Sequence, residues 1–319
     1  MQIDWPSVRR EMLMHSLFFL PAEPSIALER WLRGRQEFHQ GRKADCSIVS
    51  FPNSGRTWLK VLLSRFYQIR EGYEDDTFID LDHLSASRSS VPQFHFTHDN
   101  YLRDYTRHHA SKEAYQNKRV VLLVRDPADV AVSQYHQWRH RMRRRKIEIN
   151  KYPAEPDLSL FDFVTRRDGA LPRILRFMNE WAEDLSSLPS VQLVRYEELV
   201  TDTEKCLMNI LDFIGTPGSE AQIRRAISFA SLENMRKLED QGNPLMRRGR
   251  LAGWRSGDSN RYKARRAKIG GYRGDFTESE LAVIDRTIDH ELSPIFRYQR
   301  ELLPVADAAF HKARTRATL

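Results

Sequence analysis

The sequence predicts an α/β fold, with a central, mainly parallel sheet flanked by helices. Three observations carry the prediction. Short apolar runs alternate with amphipathic segments along most of the chain, as in successive βα units. The run RVVLLV, residues 119–124, is apolar enough to be a central strand covered on both faces. The main apolar runs are followed by apolar residues at helical spacing.

Taken in order, CSIVSF (46–51) reads as the first strand. Leu59, Leu62, Leu63 and Phe66 then fall at i, i+3, i+4 and i+7, one face of a helix. RVVLLV is the second strand. Asp126 after it suits an N-cap and Pro127 the first helical position. Ala131, Tyr135, Trp138 and Met142 continue that helix as a stripe. Leu171, Ile174, Leu175, Met178, Trp181 and Leu185 mark another buried helical face. VQLVRY (191–196) is the third strand, and Leu207, Ile210, Leu211 and Ile214 form the next helical face, stopped by Gly215 and Pro217. TESE (277–280) is a capping box that opens a last long helix. The expected organisation is a helical segment at 1–40 packing on a domain at 41–300, followed by a tail at 301–319. MLMHSLFFL (12–20) follows Arg9 and Arg10 and reads as a packing segment, with a peripheral membrane contact as the alternative. It is shorter than the ~18 apolar residues of a membrane span and lacks a clear cleavage site.

The bulk numbers bound the function. A chain of 319 residues forms one large domain or two small ones. With 51 Lys and Arg against 43 Asp and Glu, the net charge is +8. That balance suits anionic partners: nucleotides, sulfated or phosphorylated substrates, nucleic acid or anionic lipid. Cys46 and Cys206 form no zinc pattern and no disulfide framework, so the expected location is the cytoplasm. RHRMRRRK (139–146) is a basic run at a helix end, and residues 250–275 form a basic, Gly-rich stretch of a length that is often functional.

The sharpest local signal is SFPNSGRTWLK (50–60). A strand ends, the chain turns at Ser54-Gly55, and a helix begins near Thr57. Gly55 can take positive φ and let backbone approach a ligand. Backbone N–H groups at the new helix N-terminus then converge on one spot, together with the positive end of the helix dipole. The hydroxyls of Ser54 and Thr57 and the charge of Arg56 add to an anion site. A plain βα turn with a Ser/Thr cap is the competing reading. Trp58 follows, where an indole face can stack a purine or simply pack in the core. The turn lacks the Gly-Lys-Ser/Thr ending of the common P-loop.

FPNSGRTW resembles the 5′-phosphosulfate loop of the sulfotransferases that use 3′-phosphoadenosine 5′-phosphosulfate (PAPS), usually Tyr-Pro-Lys-Ser-Gly-Thr-Thr-Trp. RDPADVAVSQY (125–135) resembles the family's 3′-phosphate segment, which implies that Arg125 and Ser133 hold that phosphate. RRAKIGGY (265–272) is similar to the C-terminal Arg-Lys-Gly-x-x-Gly segment that covers the same phosphate. Arg265 and Arg266 would be donors there, and Ala267 stands where the family has Gly. LVRYEEL implies that Tyr196 lies near the adenine, and ASLENM (230–235) is a weaker match to Thr-Ser-Phe-x-x-Met. The resemblance implies a three-layer, P-loop-like fold and transfer of a sulfuryl group from PAPS to a hydroxyl or amine, leaving 3′-phosphoadenosine 5′-phosphate (PAP). No metal is implied.

Such transfer needs a base for the acceptor proton and positive charge on the leaving oxygen. His98, in HFTHDN, resembles the family's catalytic His. His95 competes for the role, and Asp99 is an alternative base or the group that orients His98. The family's loop Lys is Asn53 here, so Arg56, Thr57 and backbone amides are expected to stabilise the leaving group. The acceptor is expected to be a small molecule, lipid or sugar, with YPAEPDLSLFDF (152–163), Phe94 and Phe96 lining its pocket. The relatives' C-terminal dimer motif is mostly missing, which leaves a homodimer open. Two other classes fit parts of the chain: a P-loop kinase-like phosphotransferase and a non-catalytic basic protein that binds nucleotides or polyanions.

Overall fold

The computed structural model describes residues 12, 21–73, 77–107, 112–155, 157–240 and 268–300. Helix α1 (Ala22–Lys43) leads into strand β1 (Cys46–Val49) and α2 (Arg56–Arg70). Then come α3 (Leu81–Ser87), β2 (Phe94–Thr97) and α4 (Leu102–Thr106). Strand β3 (Arg119–Val124) is followed by α5 (Pro127–Arg141), α6 (Arg144–Ile149), α7 (Leu160–Thr165) and α8 (Ala170–Asp184). Strand β4 (Val191–Arg195) precedes α9 (Tyr196–Thr201), α10 (Thr203–Ile214), α11 (Glu220–Phe229) and α12 (Leu232–Asp240), and α13 (Glu278–Glu291) closes the described fold.

The four strands pair in parallel in the order β2-β1-β3-β4. RVVLLV is therefore central, as its composition requires. Core side chains fill both sides. Cys46, Ile48, Val121 and Leu123 meet α2, α10 and α11 on one side, and Val49, Val120, Leu122 and Val124 meet α5, α8 and α13 on the other. Leu59, Leu62, Leu63 and Phe66 are fully buried, as the helical spacing predicts.

The punctuation agrees with the chemistry of caps. Asp126 accepts from the N–H groups of Ala128 and Asp129, with Pro127 at the first position of α5. Gly215 ends α10 with φ 85°, and Thr277 and Glu280 form the capping box of α13.

The structure corrects three expectations. Strand β2, Phe94–Thr97, is a fourth strand that the sequence reading treated only as a motif. The first and third strands stop earlier, at Val49 and Arg195, because the next residues already turn into the site loop and α9. The basic run at 139–146 spans a break: α5 ends at Arg141 and α6 starts at Arg144. Most of MLMHSLFFL and the tail from 301 lie outside the described residues. No helix among the described residues is long and apolar enough to cross a membrane.

Candidate functional site

The site lies at the C-terminal edge of the parallel sheet, where βα turns gather. The turn after β1 has Asn53 at φ 69° and Gly55 at φ 93°, so two backbone positions in the left-handed region bring the chain round into α2. A Cβ on Gly55 would lie 2.4 Å from a ring carbon of Tyr196, so only glycine fits this packing. No side chain caps α2. Trp58 and Leu59 donate to the Gly55 carbonyl at 2.9 and 3.2 Å, while the amides of Gly55, Arg56 and Thr57 take no backbone acceptor among the described residues. The capped-turn alternative thus gives way to open donors at a helix N-terminus, the arrangement that binds oxyanions.

The next βα unit completes the site. Arg125 leaves the end of β3, donates to the Asn53 carbonyl at 3.3 Å and places its guanidinium 4.6 Å over the Tyr196 ring. Ser133 lies on α5, half-buried, and its hydroxyl has no hydrogen-bond partner among the described residues. Back-bonding to a helix carbonyl, the competing role for this serine, is absent. Thr57 is in the same condition on α2. Ser54 is buried beneath the turn. These donors fit a bound phosphate.

Trp58 is tied down at its edge, its indole N–H donating to the Ala230 carbonyl at 2.8 Å and its ring meeting Tyr196 edge-on at 6.2 Å. ASLENM therefore enters the site through a backbone carbonyl. Arg265, Arg266 and Ala267 lie outside the described residues, but the segment that follows them does not. Asp129 accepts from the amides of Gly270 at 2.8 Å and Tyr272 at 3.1 Å, which ties this segment to α5 one turn below Ser133. Asp129 also lies 3.6 Å from Arg125. Burial raises its pKa, and Arg125 opposes the rise.

Asn53 does not act as a shortened lysine. Its amide donates to Gln134 and Gln137 of α5, each at 2.9 Å. The positive charge at the loop comes from Arg56, whose guanidinium lies 2.7 Å from Nε2 of His98. The other ring nitrogen, Nδ1, lies 2.8 Å from the Ser50 carbonyl. A carbonyl only accepts, so Nδ1 carries the proton and Nε2 presents its lone pair to Arg56. His98 is thereby held as a neutral imidazole with its basic nitrogen facing the loop.

His95 points elsewhere, its ring against Gly41 of α1. Asp99 is engaged in a buried pair. Its carboxylate accepts from Lys112 at 2.6 Å and Tyr115 at 3.1 Å, which leaves the Ser50 carbonyl as the group that orients Nδ1 of His98.

The aromatics expected around an acceptor are largely spent on packing. Phe163 is fully buried and stacks on Trp138 and Tyr152, while Phe94 and Phe96 join the core beside Tyr67 and Lys60. The helical segment expected at 1–40 is present as α1, but its place beside Tyr101 was not anticipated. Tyr101, three residues after His98, is flanked by Arg30 and Arg33 of α1 at 5.3 and 5.6 Å from its ring. Glu37, one turn on, accepts from the Tyr101 amide. Burial and the nearby charge of Asp99 push its pKa up to about 8. Gln134 and Gln137 were also missed, since nothing in a glutamine on a helix marks a partner 81 or 84 residues away.

The comparisons with known proteins follow the same line. A sulfotransferase domain model matches residues 43–296. Flavonol 3-sulfotransferase of Flaveria bidentis is 25% identical over 290 residues, covering 83% of this chain and 88% of the relative. Cytosolic sulfotransferase 13 of Arabidopsis thaliana is 25% identical, covering 84% and 83%. In fold, mouse sulfotransferase SULT7A1 complexed with PAP aligns with a TM-score of 0.54 at 19% identity, covering 80% of this chain and 87% of that one. Retinol dehydratase in a complex with retinol and PAP aligns at 0.52 with 19% identity, covering 78% and 81%. The domain match takes in the turn before α2, the Arg125–Ser133 unit and His98, and so the chain belongs to the PAPS-dependent sulfotransferase family.

Proposed function

We propose that this chain transfers the sulfuryl group of PAPS to a hydroxyl or amine of a small acceptor, with His98 as general base. The observation that carries the reading is the pairing of His98 Nε2 with Arg56 at 2.7 Å, directly beside the uncapped N-terminus of α2. The base, the compensating cation and the oxyanion donors thus share one spot.

The roles follow from chemistry. The amides of Gly55, Arg56 and Thr57, with the hydroxyls of Ser54 and Thr57, would hold the 5′-phosphosulfate. Arg125 and Ser133 would hold the 3′-phosphate, with Arg265, Arg266 and the backbone at Ala267 closing from the other side. Tyr196 and Trp58 would bound the adenine. The donor nucleotide supplies the sulfuryl group. The chain's own work is alignment and charge, as in phosphoryl transfer.

His98 Nε2 takes the proton of the acceptor as its oxygen or nitrogen bonds to sulfur. For this, Arg56 must release Nε2 and turn toward the phosphate loop. A guanidinium can do so without moving the backbone, because its reach spans both partners. Arg56 then neutralises the oxygen that leaves sulfur, the task that a lysine at position 53 performs in the relatives' motif.

The test is transfer of labelled sulfuryl from PAPS to a panel of hydroxyl and amine acceptors by the wild type, His98→Ala and Arg56→Ala. Wild-type turnover that is lost in His98→Ala, with PAP affinity retained, supports the assignment. Wild-type turnover in His98→Ala refutes it.

A further inference from the structure

One carboxylate joins two distant stretches of chain beside the end of β3. Asp129, in the first turn of α5, has a side chain only 3% exposed. Its Oδ2 accepts from the Gly270 amide at 2.8 Å and its Oδ1 from the Tyr272 amide at 3.1 Å. Both donors are held from behind. Gly270 turns at φ 67° into the helical turn Gly271–Asp275, and Tyr272 is buried, its hydroxyl donating to Asp285 of α13 at 3.2 Å. Arg300 donates to the same Asp285 at 3.0 Å and grips Asp126, the N-cap of α5, with both terminal nitrogens at 2.7 and 2.9 Å. The Asp129 carboxylate is thus fixed at both oxygens, and so is the helix start that carries it.

Arg125 stands one turn before Asp129. Its Nη2 lies 3.6 Å from Oδ2, a charge contact too long for a hydrogen bond. Its Nη1 donates to the Asn53 carbonyl, and its guanidinium lies over the Tyr196 ring. Its Nε is buried and has no hydrogen-bond partner among the described residues. A buried donor without a partner is costly until an acceptor arrives. A carboxylate with free oxygens would pair with Arg125 in two hydrogen bonds and use up its donors. Asp129 has both oxygens engaged by amides, so it attracts the guanidinium without consuming it.

We propose that Asp129 is a positioning residue for the nucleotide's 3′-phosphate, holding Arg125 in the orientation that receives it and tying that orientation to the Gly270–Tyr272 backbone. This rests on the sulfotransferase reading above and adds to it a residue that sets 3′-phosphate selectivity. The sign of the effect separates this role from a mere charge. A carboxylate acting only as a charge repels a nearby phosphate, so its removal would tighten binding. A carboxylate that orients Arg125 does the reverse. In Asp129→Asn the shape is kept, but one carbonyl and one NH2 group now face two amide donors. One amide then loses its acceptor, and Arg125 loses the charge that aims it.

The test is calorimetric titration of the full chain with PAP and with AMP, which differ only by the 3′-phosphate, at one salt concentration. The wild type should favour PAP by about a hundredfold, as two charge-assisted contacts imply. Asp129→Asn should lower that preference about tenfold with AMP affinity unchanged. The Arg125→Ala, Asp129→Asn double variant should show the same preference as Arg125→Ala alone, because Asp129 acts through Arg125. Gly270→Ala meets no neighbouring atom but is strained at φ 67°, so it disturbs the same tie without touching the core. It should lower the preference a few-fold, and Gly270→Asn, which tolerates that backbone, should restore it. This pair decides the matter where Asp129→Asn does not fold. A preference unchanged or raised in Asp129→Asn, a parallel loss of AMP and PAP affinity, a further fall in the double variant, or an unchanged preference in Gly270→Ala overturns the inference while PAP binding stands. A wild type that binds PAP no better than AMP removes the sulfotransferase reading and this inference with it.

Discussion

Replacing Lys112 with Met should destabilise the protein by about 3–5 kcal/mol, because it strands Asp99 as a buried, uncompensated charge. The pair is nearly sealed, with side-chain exposures of 3% and 4% and a separation of 2.6 Å. At that distance an effective dielectric of about 20 gives roughly 6 kcal/mol of attraction, most of it offset by the desolvation of two ions. Lys112 also lies 4.5 Å from the centre of the Trp181 ring, and Tyr115 donates a second hydrogen bond to Asp99. The single variant therefore loses more than a surface ion pair is worth. The measurement is urea unfolding of wild type, Lys112→Met, Asp99→Asn and the double variant. Lys112→Met should be the worst, and the double variant should recover at least about 1.5 kcal/mol relative to the sum of the two single changes. Asp99 sits at φ 54° immediately after His98, so the unstable variant should also lose turnover. Single variants that cost less than about 1 kcal/mol, or that add without coupling, would refute the reasoning.

Gly55→Ala should cost about 1–2 kcal/mol from backbone strain at φ 93°, with a further loss from the Tyr196 contact, read by thermal unfolding together with weakened PAP binding. Arg56→Ala should lower kcat by about a hundredfold or more with a small change in PAP affinity, and Arg56→Lys should restore part of it; an unchanged kcat would remove Arg56 from the chemistry. Glu37 binds its proton more tightly in the folded state, with a pKa of about 8 against 4.5. Its contribution to stability is fully present below pH 4.5 and is lost as pH rises to about 8, at a slope of at most about 1.4 kcal/mol per pH unit. Glu37→Gln should flatten that part of the stability profile measured by urea unfolding, and an unchanged slope would assign it to another group.

The strand-turn-helix units were legible because each carries its own local chemistry. An apolar run names a buried strand, Asp126-Pro127 names a helix start, and Gly215 names a stop. Strand β2 was not legible, since four residues that include His95 and Thr97 show neither an apolar run nor a clean alternation. The turn into α2 could be read from Ser54, Gly55 and Thr57, because a strand-turn-helix junction with a glycine at positive φ is a local property. What Asn53 does could not be read, because its partners Gln134 and Gln137 arrive from another βα unit. The same holds for Glu37 and Arg33. Each is an ordinary charged helix residue until α1 packs beside Tyr101, so only the packed fold reveals their neighbours.

The most direct test of the central claim is calorimetric titration with PAP, against AMP, ADP and ATP at one salt concentration, for the wild type, Arg125→Ala and Ser133→Ala. The account predicts a strong preference for PAP that falls toward the level of ADP in both variants, because the 3′-phosphate is what Arg125 and Ser133 are proposed to hold. Binding of ATP as tight as that of PAP, or a PAP preference that survives both substitutions, would contradict it.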